Sequence, residues 1–191
     1  KRAARVGFDW TEAKDVLAGA MLNYAMSEAT AGPVAAPRQG IAALPTVTLL
    51  GEMFPADPMV ISQMLAPMGL AVGPVVPTRE WRELYAALDC AVVGAIHPFY
   101  TASMRVFQQA GRPIVGSAPV GLEGTSSWLE RIGEAAGIAP EKVAAAKEAV
   151  MPGIAAALAG APIEGKITVS GYEGSELLVA RLLIESGATV P

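Results

Sequence analysis

The sequence predicts an α/β protein with a Rossmann-like, doubly wound parallel sheet of about four strands, followed by the start of a second Rossmann-like domain. Short runs rich in Val, Ile and Leu alternate with longer stretches whose apolar residues recur at helical spacing. This alternation is typical of parallel βα units. The hydrophobic content of 52% also suits a sheet that helices cover on both faces.

The domain organisation is predicted from composition and from turn-forming residues. We expect residues 1–30 to form the helical end of a preceding domain and 31–44 to form a linker rich in Ala, Pro and Gly. Residues 45–160 then form the Rossmann-like middle domain, and 161–191 start the next one. The chain begins with Lys and ends on a strand-like run, so we expect an internal fragment that is inactive by itself.

The first elements are predicted from their apolar spacing and their end signals. Thr11 is the expected N-cap of the first helix. The apolar face of that helix is predicted to comprise Val16, Leu17, Ala20, Met21 and Tyr24. The first strand follows Pro45 and ends at Gly51, where the chain must turn. Asp57 and Pro58 then open a helix, because Asp can cap free amides and Pro fits the first helical position.

The remaining elements repeat the strand–loop–helix pattern. Strands are expected near residues 70–76, 90–96, 113–117 and 166–170. Helices are expected at residues 79–88, after Pro98, from an N-cap at Thr125, at 140–158, and at 175–186. Pro152 lies within the 140–158 stretch and should kink or split that helix.

Composition argues against several classes of function. A net charge of −4 without a basic cluster argues against nucleic acid as a partner. No apolar run approaches the ~20 residues of a membrane helix, and no signal peptide is present, so we expect a cytoplasmic protein without a membrane span. There is no dinucleotide or phosphate-binding glycine motif. With one cysteine and one histidine, no metal site is predicted in this fragment.

A rim of loop residues is the candidate functional site. Because the carboxyl ends of parallel strands share one edge of a sheet, the loops that follow the strands should lie together. The rim is predicted to comprise Glu52, Met53, Phe54, His97, Phe99, Tyr100 and Ser117. These side chains are mostly apolar or aromatic, which suits a large flat apolar ligand or a protein partner better than a phosphate.

Three residues admit both a functional and a structural interpretation. His97, which follows the third strand, is the candidate for a catalytic role, as a proton donor or through a ligand contact, but a histidine bonded to the backbone explains it at least as well. Glu52 is either a functional carboxylate or a solvated loop residue. Cys90 opens a buried strand, and free cysteines are among the most buried residue types, so we predict a structural role for it.

Five segments resemble the catalytic subunits of the chlorophyllide reductases, a branch of the nitrogenase-like oxidoreductase family. They are LGEMFPADP at 50–58, GPVVPTREW at 73–81, AIHPFY at 95–100, GSAPVG at 116–121 and GYEGSELLVAR at 171–181. The segments are long and ungapped, and the resemblance extends over residues 45–191.

The resemblance implies a subunit of three Rossmann-like domains, of which this chain would hold the middle one. Such a subunit pairs with a Z subunit, and the X subunit, an ATP-dependent iron–sulfur reductase, delivers electrons. The electrons pass through a [4Fe–4S] cluster between the catalytic subunits to chlorophyllide a, whose ring B double bond is reduced in bacteriochlorophyll biosynthesis. The cluster cysteines of the family precede the segment that this chain matches. No ligand role is therefore transferred to Cys90, and no catalytic residue of the family maps onto this chain.

Two other classes of function stay open from the residues alone. A non-enzymatic binding module could close two α/β lobes on a small ligand. A stand-alone α/β isomerase could use Glu52 or His97 as its acid–base group.

Overall fold

The computed structural model describes residues 10–31, 44–51, 56–78, 83–171 and 174–191. The strands are β1 (Thr46–Leu50), β2 (Ala71–Val76), β3 (Val92–Ala95) and β4 (Ile114–Gly116). The helices are α1 (Trp10–Ala31), α2 (Pro58–Leu65), α3 (Glu83–Leu88), α4 (Thr101–Gln109), α5 (Gly121–Ala135), α6 (Pro140–Gly160) and α7 (Ser175–Glu185). A short 3₁₀ helix, Ala66–Met68, follows α2 and ends at Gly69, whose φ of 73° is left-handed.

The four strands form one parallel sheet in the order β2-β1-β3-β4, which confirms the predicted fold class. Leu50 of β1 is in register with Val76 of β2 and with Ala95 of β3, and Ala95 is in register with Gly116 of β4. All four strands therefore end at one edge. The chain leaves β1 towards one side of the sheet and leaves β3 towards the other, so the topological switch point lies between these two strands.

The core consists of two apolar layers, one on each face of the sheet. Val47 and Leu49 pack with α2, α5 and α6, whereas Leu50 packs with α1, α3 and α4. This division follows from the two-residue period of a strand. Thr48 points to the second layer, and its fully buried hydroxyl donates to the Ala87 carbonyl oxygen over 3.0 Å. The buried hydroxyl is thus satisfied rather than left without a partner.

Helix α1 is present, but the face predicted to be buried is wrong. Val16 and Leu17 are 56% and 62% exposed, whereas Asp15, Ala18 and Leu22 are buried. The Asp15 carboxylate accepts hydrogen bonds from backbone amides at the start of α4, and this contact turns the opposite face of α1 outwards. The N-cap prediction is also wrong, because the helix begins one residue before Thr11.

Helix α5 begins four residues before the predicted cap. Gly121 is its first residue and Val120 precedes it, so Thr125 lies inside the helix, fully buried. No hydrogen bond to the Thr125 hydroxyl is found in the described part of the chain. The sequence pattern pointed to Thr125 because Thr is a common cap, but a carboxylate from another helix caps this one, as described below.

Helix α6 continues through Pro152 without being split. Pro152 is exposed, so the carbonyl group left without an amide partner can bond to water. Among the described residues α6 is the one helix long and apolar enough to cross a membrane, which by itself is weak evidence. Its first half packs on the protein core through Val143 and Ala146.

The strand predicted at residues 166–170 is reduced to a single parallel bridge between Lys166 and Thr189. The Ile167 amide donates to Thr189 O over 2.9 Å, and the Thr189 amide donates to Gly165 O over 2.8 Å. Helix α7 lies between these two segments in sequence. A parallel pair joined by a helix is the smallest βαβ unit, and its assignment to a separate domain stays a prediction.

Candidate functional site

The carboxyl edge of the sheet holds the predicted rim as far as the structure describes it. Gly51, His97 and Ser117 follow β1, β3 and β4 at this edge. Three predicted rim residues, Glu52, Met53 and Phe54, lie outside the described residues.

His97, Phe99 and Tyr100 form an aromatic cluster at the switch point. The His97 ring lies edge-on to both neighbours, with centroid distances of 5.5 Å to Phe99 and 5.3 Å to Tyr100. His97 and Tyr100 are 5% and 2% exposed, whereas Phe99 is 41% exposed. The cluster therefore presents one aromatic side chain to the outside and buries the other two.

Backbone contacts hold His97 in place. Its Nδ1 accepts a hydrogen bond from the Phe99 amide over 3.2 Å, and its own amide donates to Leu50 O over 3.3 Å. A neutral His97 then carries its proton on Nε2. The geometry is that of a histidine held by the backbone through Nδ1 and through its own amide.

Gly51 makes this close packing possible. Its φ is 85°, and its amide donates to Val76 O over 2.7 Å. A methyl group added here would overlap His97 Cβ and lie 3.0 Å from the Tyr100 ring. Glycine is needed both for the left-handed turn and for the space.

Ser117 follows β4 and does not belong to the aromatic cluster. It is exposed, with a φ of 70°, a left-handed value that is uncommon outside glycine. The neighbouring Gly116 carbonyl accepts from Arg131 Nη2 over 2.9 Å. The structure thus places Ser117 on the same edge, one strand away from His97.

A cleft of about 600 Å³ lies beside the cluster, where β1 and β2 end. The described residues that line this cleft are Gly51, Ala56, Asp57, Pro58, Met59, Val75, Pro77, Glu83 and Ile96. Most of these side chains are apolar, and two are carboxylates. Sequence reasoning missed Met59, Val75 and Glu83, because they belong to the elements rather than to the loops between them.

Carboxylates occupy the first turns of three helices near this edge. Asp57 Oδ1 accepts from the Met59 amide over 2.7 Å, which confirms the predicted cap of α2. The Asp15 carboxylate of α1 accepts from the Ala102 and Ser103 amides of α4 over 2.7 and 2.9 Å. These contacts satisfy amides that a helix leaves without partners.

The third carboxylate, which caps α5, belongs to a helix that follows the four-strand sheet in sequence. Glu185, the last residue of α7, accepts from the Leu122 amide over 2.5 Å and from the Glu123 amide over 3.0 Å. Helix N-termini attract anions such as phosphates, and here the protein supplies the anion itself. Asp15 and Glu185 lie 87 and 63 residues from their partners, so no local sequence signal could have revealed them.

The segment around α7 also contacts the aromatic rim. Gly174 precedes α7 with a φ of 81°, and a methyl group there would lie 2.8 Å from Pro98 Cγ and 3.7 Å from Phe99 Cζ. Part of the predicted rim is therefore covered by the chain's own next βαβ unit.

Cys90 lies at the opposite edge of the sheet. It precedes β3, whereas His97 follows it, so the two are separated by seven positions, or roughly 20 Å of strand. Cys90 is fully buried, and burial raises the pKa of its thiol. The described residues contain no group of three or more His, Cys, Asp or Glu side chains suited to a metal ion.

Comparisons with known proteins give three findings. The family described as Nitrogenase component 1 type Oxidoreductase matches residues 2–191. The chain is 72% identical over 180 residues to the Chlorophyllide reductase 52.5 kDa chain of Cereibacter sphaeroides and to that of Rhodobacter capsulatus, with 94% of this chain and 36% of each relative covered. It is 26% identical over 152 residues to the Light-independent protochlorophyllide reductase subunit N of Trichodesmium erythraeum, with 77% of this chain and 32% of that protein covered.

Proposed function

Because this chain belongs to the family of nitrogenase component 1 type oxidoreductases, we propose that it forms part of the Y subunit of a chlorophyllide a reductase. The observation that carries the proposal is the 72% identity to two chlorophyllide reductase chains along 94% of this sequence. The chain spans only 36% of the length of those relatives, so the remainder of such a subunit would supply further parts of the site.

The proposed reaction adds two electrons and two protons to the ring B double bond of chlorophyllide a, a step in bacteriochlorophyll biosynthesis in the cytoplasm. The Z subunit would complete the catalytic component. The X subunit, an ATP-dependent iron–sulfur protein, would deliver the electrons. A [4Fe–4S] cluster in the complex would carry the electrons to the pigment.

This chain does not fit the cluster as a ligand set. Cys90 is fully buried in the core and lies at the far edge of the sheet from His97. Four ligands around one cluster cannot come from two residues separated in this way. The proposed contribution of this chain is therefore binding and orientation of the pigment or of a neighbouring domain.

The aromatic cluster supports that contribution. Phe99 is 41% exposed, and its ring lies edge-on to His97, whose ring lies in turn edge-on to the buried Tyr100. Stacking on a flat ring system would exploit both buried area and ring electrostatics. His97 would act at most as a proton relay, since backbone contacts hold its ring in place.

The test is turnover by the intact subunit, purified with its Z and X partners and supplied with chlorophyllide a, ATP and a chemical reductant. We expect a product heavier by one pair of hydrogens and a shift of its absorption to longer wavelength. Protochlorophyllide serves as the control substrate and should not be reduced. Reduction of protochlorophyllide alone, or tight pigment binding without any turnover, would overturn the assignment, and the latter would favour a non-enzymatic binding module.

A further inference from the structure

The loop that carries the aromatic cluster is short and is held at both of its ends. Residues 96–100 connect β3 to α4. At the β3 end, the His97 amide donates to Leu50 O over 3.3 Å. At the other end, the Tyr100 carbonyl oxygen accepts from the Met104 amide over 2.9 Å, which ties the loop to the first turn of α4. The place of that first turn therefore determines where the second half of the loop lies.

Tyr100 occupies the N-cap position of α4 but makes no side-chain cap bond. Its side chain is 2% exposed and its ring lies edge-on to His97, so it packs within the aromatic cluster instead. Short polar side chains such as those of Asp, Asn and Ser are the usual N-caps. Because a helix leaves its first amides without partners inside the helix, the first turn of α4 needs an acceptor from elsewhere.

Asp15 of α1 supplies this acceptor. Its carboxylate accepts from the Ala102 and Ser103 amides over 2.7 and 2.9 Å, and the residue is 2% exposed. The fully buried Ser103 hydroxyl donates in return to Asp15 O over 3.3 Å. Hydrogen bonds to a carboxylate are charge-assisted and stronger than bonds between neutral groups. The cap of α4 is therefore a strong contact between two helices.

Helices α1 and α4 also approach each other closely beside these bonds. A methyl group added at Gly19 would lie 3.1 Å from the Ala102 carbonyl carbon and 3.3 Å from the Ser103 amide nitrogen. Ala18 and Leu22 are buried in the apolar layer that α1 shares with α4. Packed interiors transmit small displacements, so a shift of α1 would displace the start of α4.

We propose that Asp15 is a positioning residue for the aromatic cluster. By capping α4 from α1, it holds Tyr100 in place, and through Tyr100 it fixes the rings of His97 and Phe99 at the carboxyl edge. The consequence for the reaction rests on the proposed function, in which the cluster binds the pigment. Loss of the cap then weakens pigment binding, whereas the reduction step keeps its rate once the pigment is bound.

The test compares Asp15→Ala and Asp15→Asn with wild type in the intact reductase complex, with chlorophyllide a as the probe. We expect Asp15→Ala to raise the Kd and the KM for the pigment about fivefold, while kcat changes less than about twofold. Asp15→Asn keeps one oxygen that can accept from α4, so it should restore part of the lost affinity.

Val143→Ala is the matched control for a general loss of stability. Val143 belongs to the apolar layer on the other face of the sheet, away from α1 and α4. Its truncation should lower the free energy of unfolding but leave Kd, KM and kcat unchanged. A loss of pigment affinity in Val143→Ala as large as that in Asp15→Ala would overturn the proposal.

Hydrogen exchange on the same variants tests the positioning without the pigment. Asp15→Ala should speed exchange about five- to tenfold at the amides of residues 102–103, and also at those of His97 and Phe99. The latter two amides bond to Leu50 O and to His97 Nδ1, so they report on the cluster itself. Acceleration confined to residues 102–103 would show a simple cap and contradict the positioning role.

An unchanged Kd in a variant of a complex that binds the pigment would also overturn the proposal. If Asp15→Ala fails to assemble, Asp15→Asn should show the same pattern at smaller size, and its absence would count in the same way. A wild-type complex that neither binds nor reduces chlorophyllide a would refute the proposed function instead. In that case, exchange at residues 97 and 99 still decides whether Asp15 positions the cluster.

Discussion

At Gly51 the backbone leaves β1 in a left-handed conformation with two aromatic side chains directly above it. We expect Gly51→Ala to lower the free energy of unfolding by about 3 kcal/mol, from backbone strain and from overlap with His97. Urea unfolding measures the change. Gly116→Ala is the matched control, because no heavy atom lies within 4 Å of the added methyl group. Equal losses in both variants would show that the close approach at Gly51 is not what matters.

Variants of the aromatic cluster can distinguish a role in pigment binding from a role in the chemical reaction. In the intact enzyme, we expect Phe99→Ala to weaken pigment binding or subunit assembly several-fold, because it removes the exposed ring. His97→Ala should act in the same way, through loss of support for Phe99. Pigment affinity, cluster content and turnover are measured for each variant. If His97→Ala abolishes turnover while affinity, assembly and cluster content stay normal, His97 has a chemical role.

Burial of Cys90 has a consequence that depends on pH. Its pKa is raised in the folded state, so the unfolded thiol ionises first as the pH rises. The free energy of unfolding should therefore fall above about pH 8.5, by up to about 1.4 kcal/mol per pH unit. Cys90→Ala should remove that part of the slope. Thiol labelling gives a second measurement, and equal labelling rates in native and urea-unfolded protein would contradict the burial.

At the scale of elements, the carboxylate of one helix completes the first turn of another. We expect Asp15→Ala to cost about 2 kcal/mol, since the Ala102 and Ser103 amides lose their partners and α1 loses its polar contact with α4. Chemical unfolding and the exchange of these two amides report the loss. Asp89→Ala is the control because Asp89 is exposed. A loss no greater than that of the control would mean that apolar packing alone holds α1.

The helices show which sequence signals are sufficient to predict a helix cap or a buried face. The cap at Asp57 was predictable, because the carboxylate and the Met59 amide that it accepts from lie two residues apart. The buried face of α1 was not, because Asp15 overrides the apolar pattern through a contact 87 residues away. The cap predicted at Thr125 was wrong for the same reason, because Glu185 caps that helix from another part of the chain.

At the scale of the whole molecule, the four-strand parallel sheet and its single carboxyl edge followed from the alternation of strands and helices alone. That edge brought His97, Phe99 and Tyr100 together, as expected for residues in one loop. The cleft between β1 and β2 was not foreseen, because it depends on how α2 and α3 pack over the edge. The strand expected at residues 166–170 shrank to one bridge, since a parallel strand needs neighbours that local sequence does not supply.

The separation of Cys90 from His97 predicts that this chain alone binds no iron–sulfur cluster. Anaerobic incubation with iron and sulfide, followed by desalting, should leave the protein colourless. The intact reductase complex, treated in the same way, is the positive control. A brown, stoichiometric cluster in the isolated chain, in monomeric form, would refute the prediction.

Three helix N-termini filled by Asp15, Asp57 and Glu185 have a consequence for regulation. A subunit of the proposed enzyme works beside a protein that consumes ATP, in a solution rich in ATP, ADP and inorganic phosphate. Open helix ends would collect those anions and make the subunit subject to inhibition by its partner's products. Because its own side chains already occupy these three places, we expect these helix ends not to bind nucleotides or inorganic phosphate.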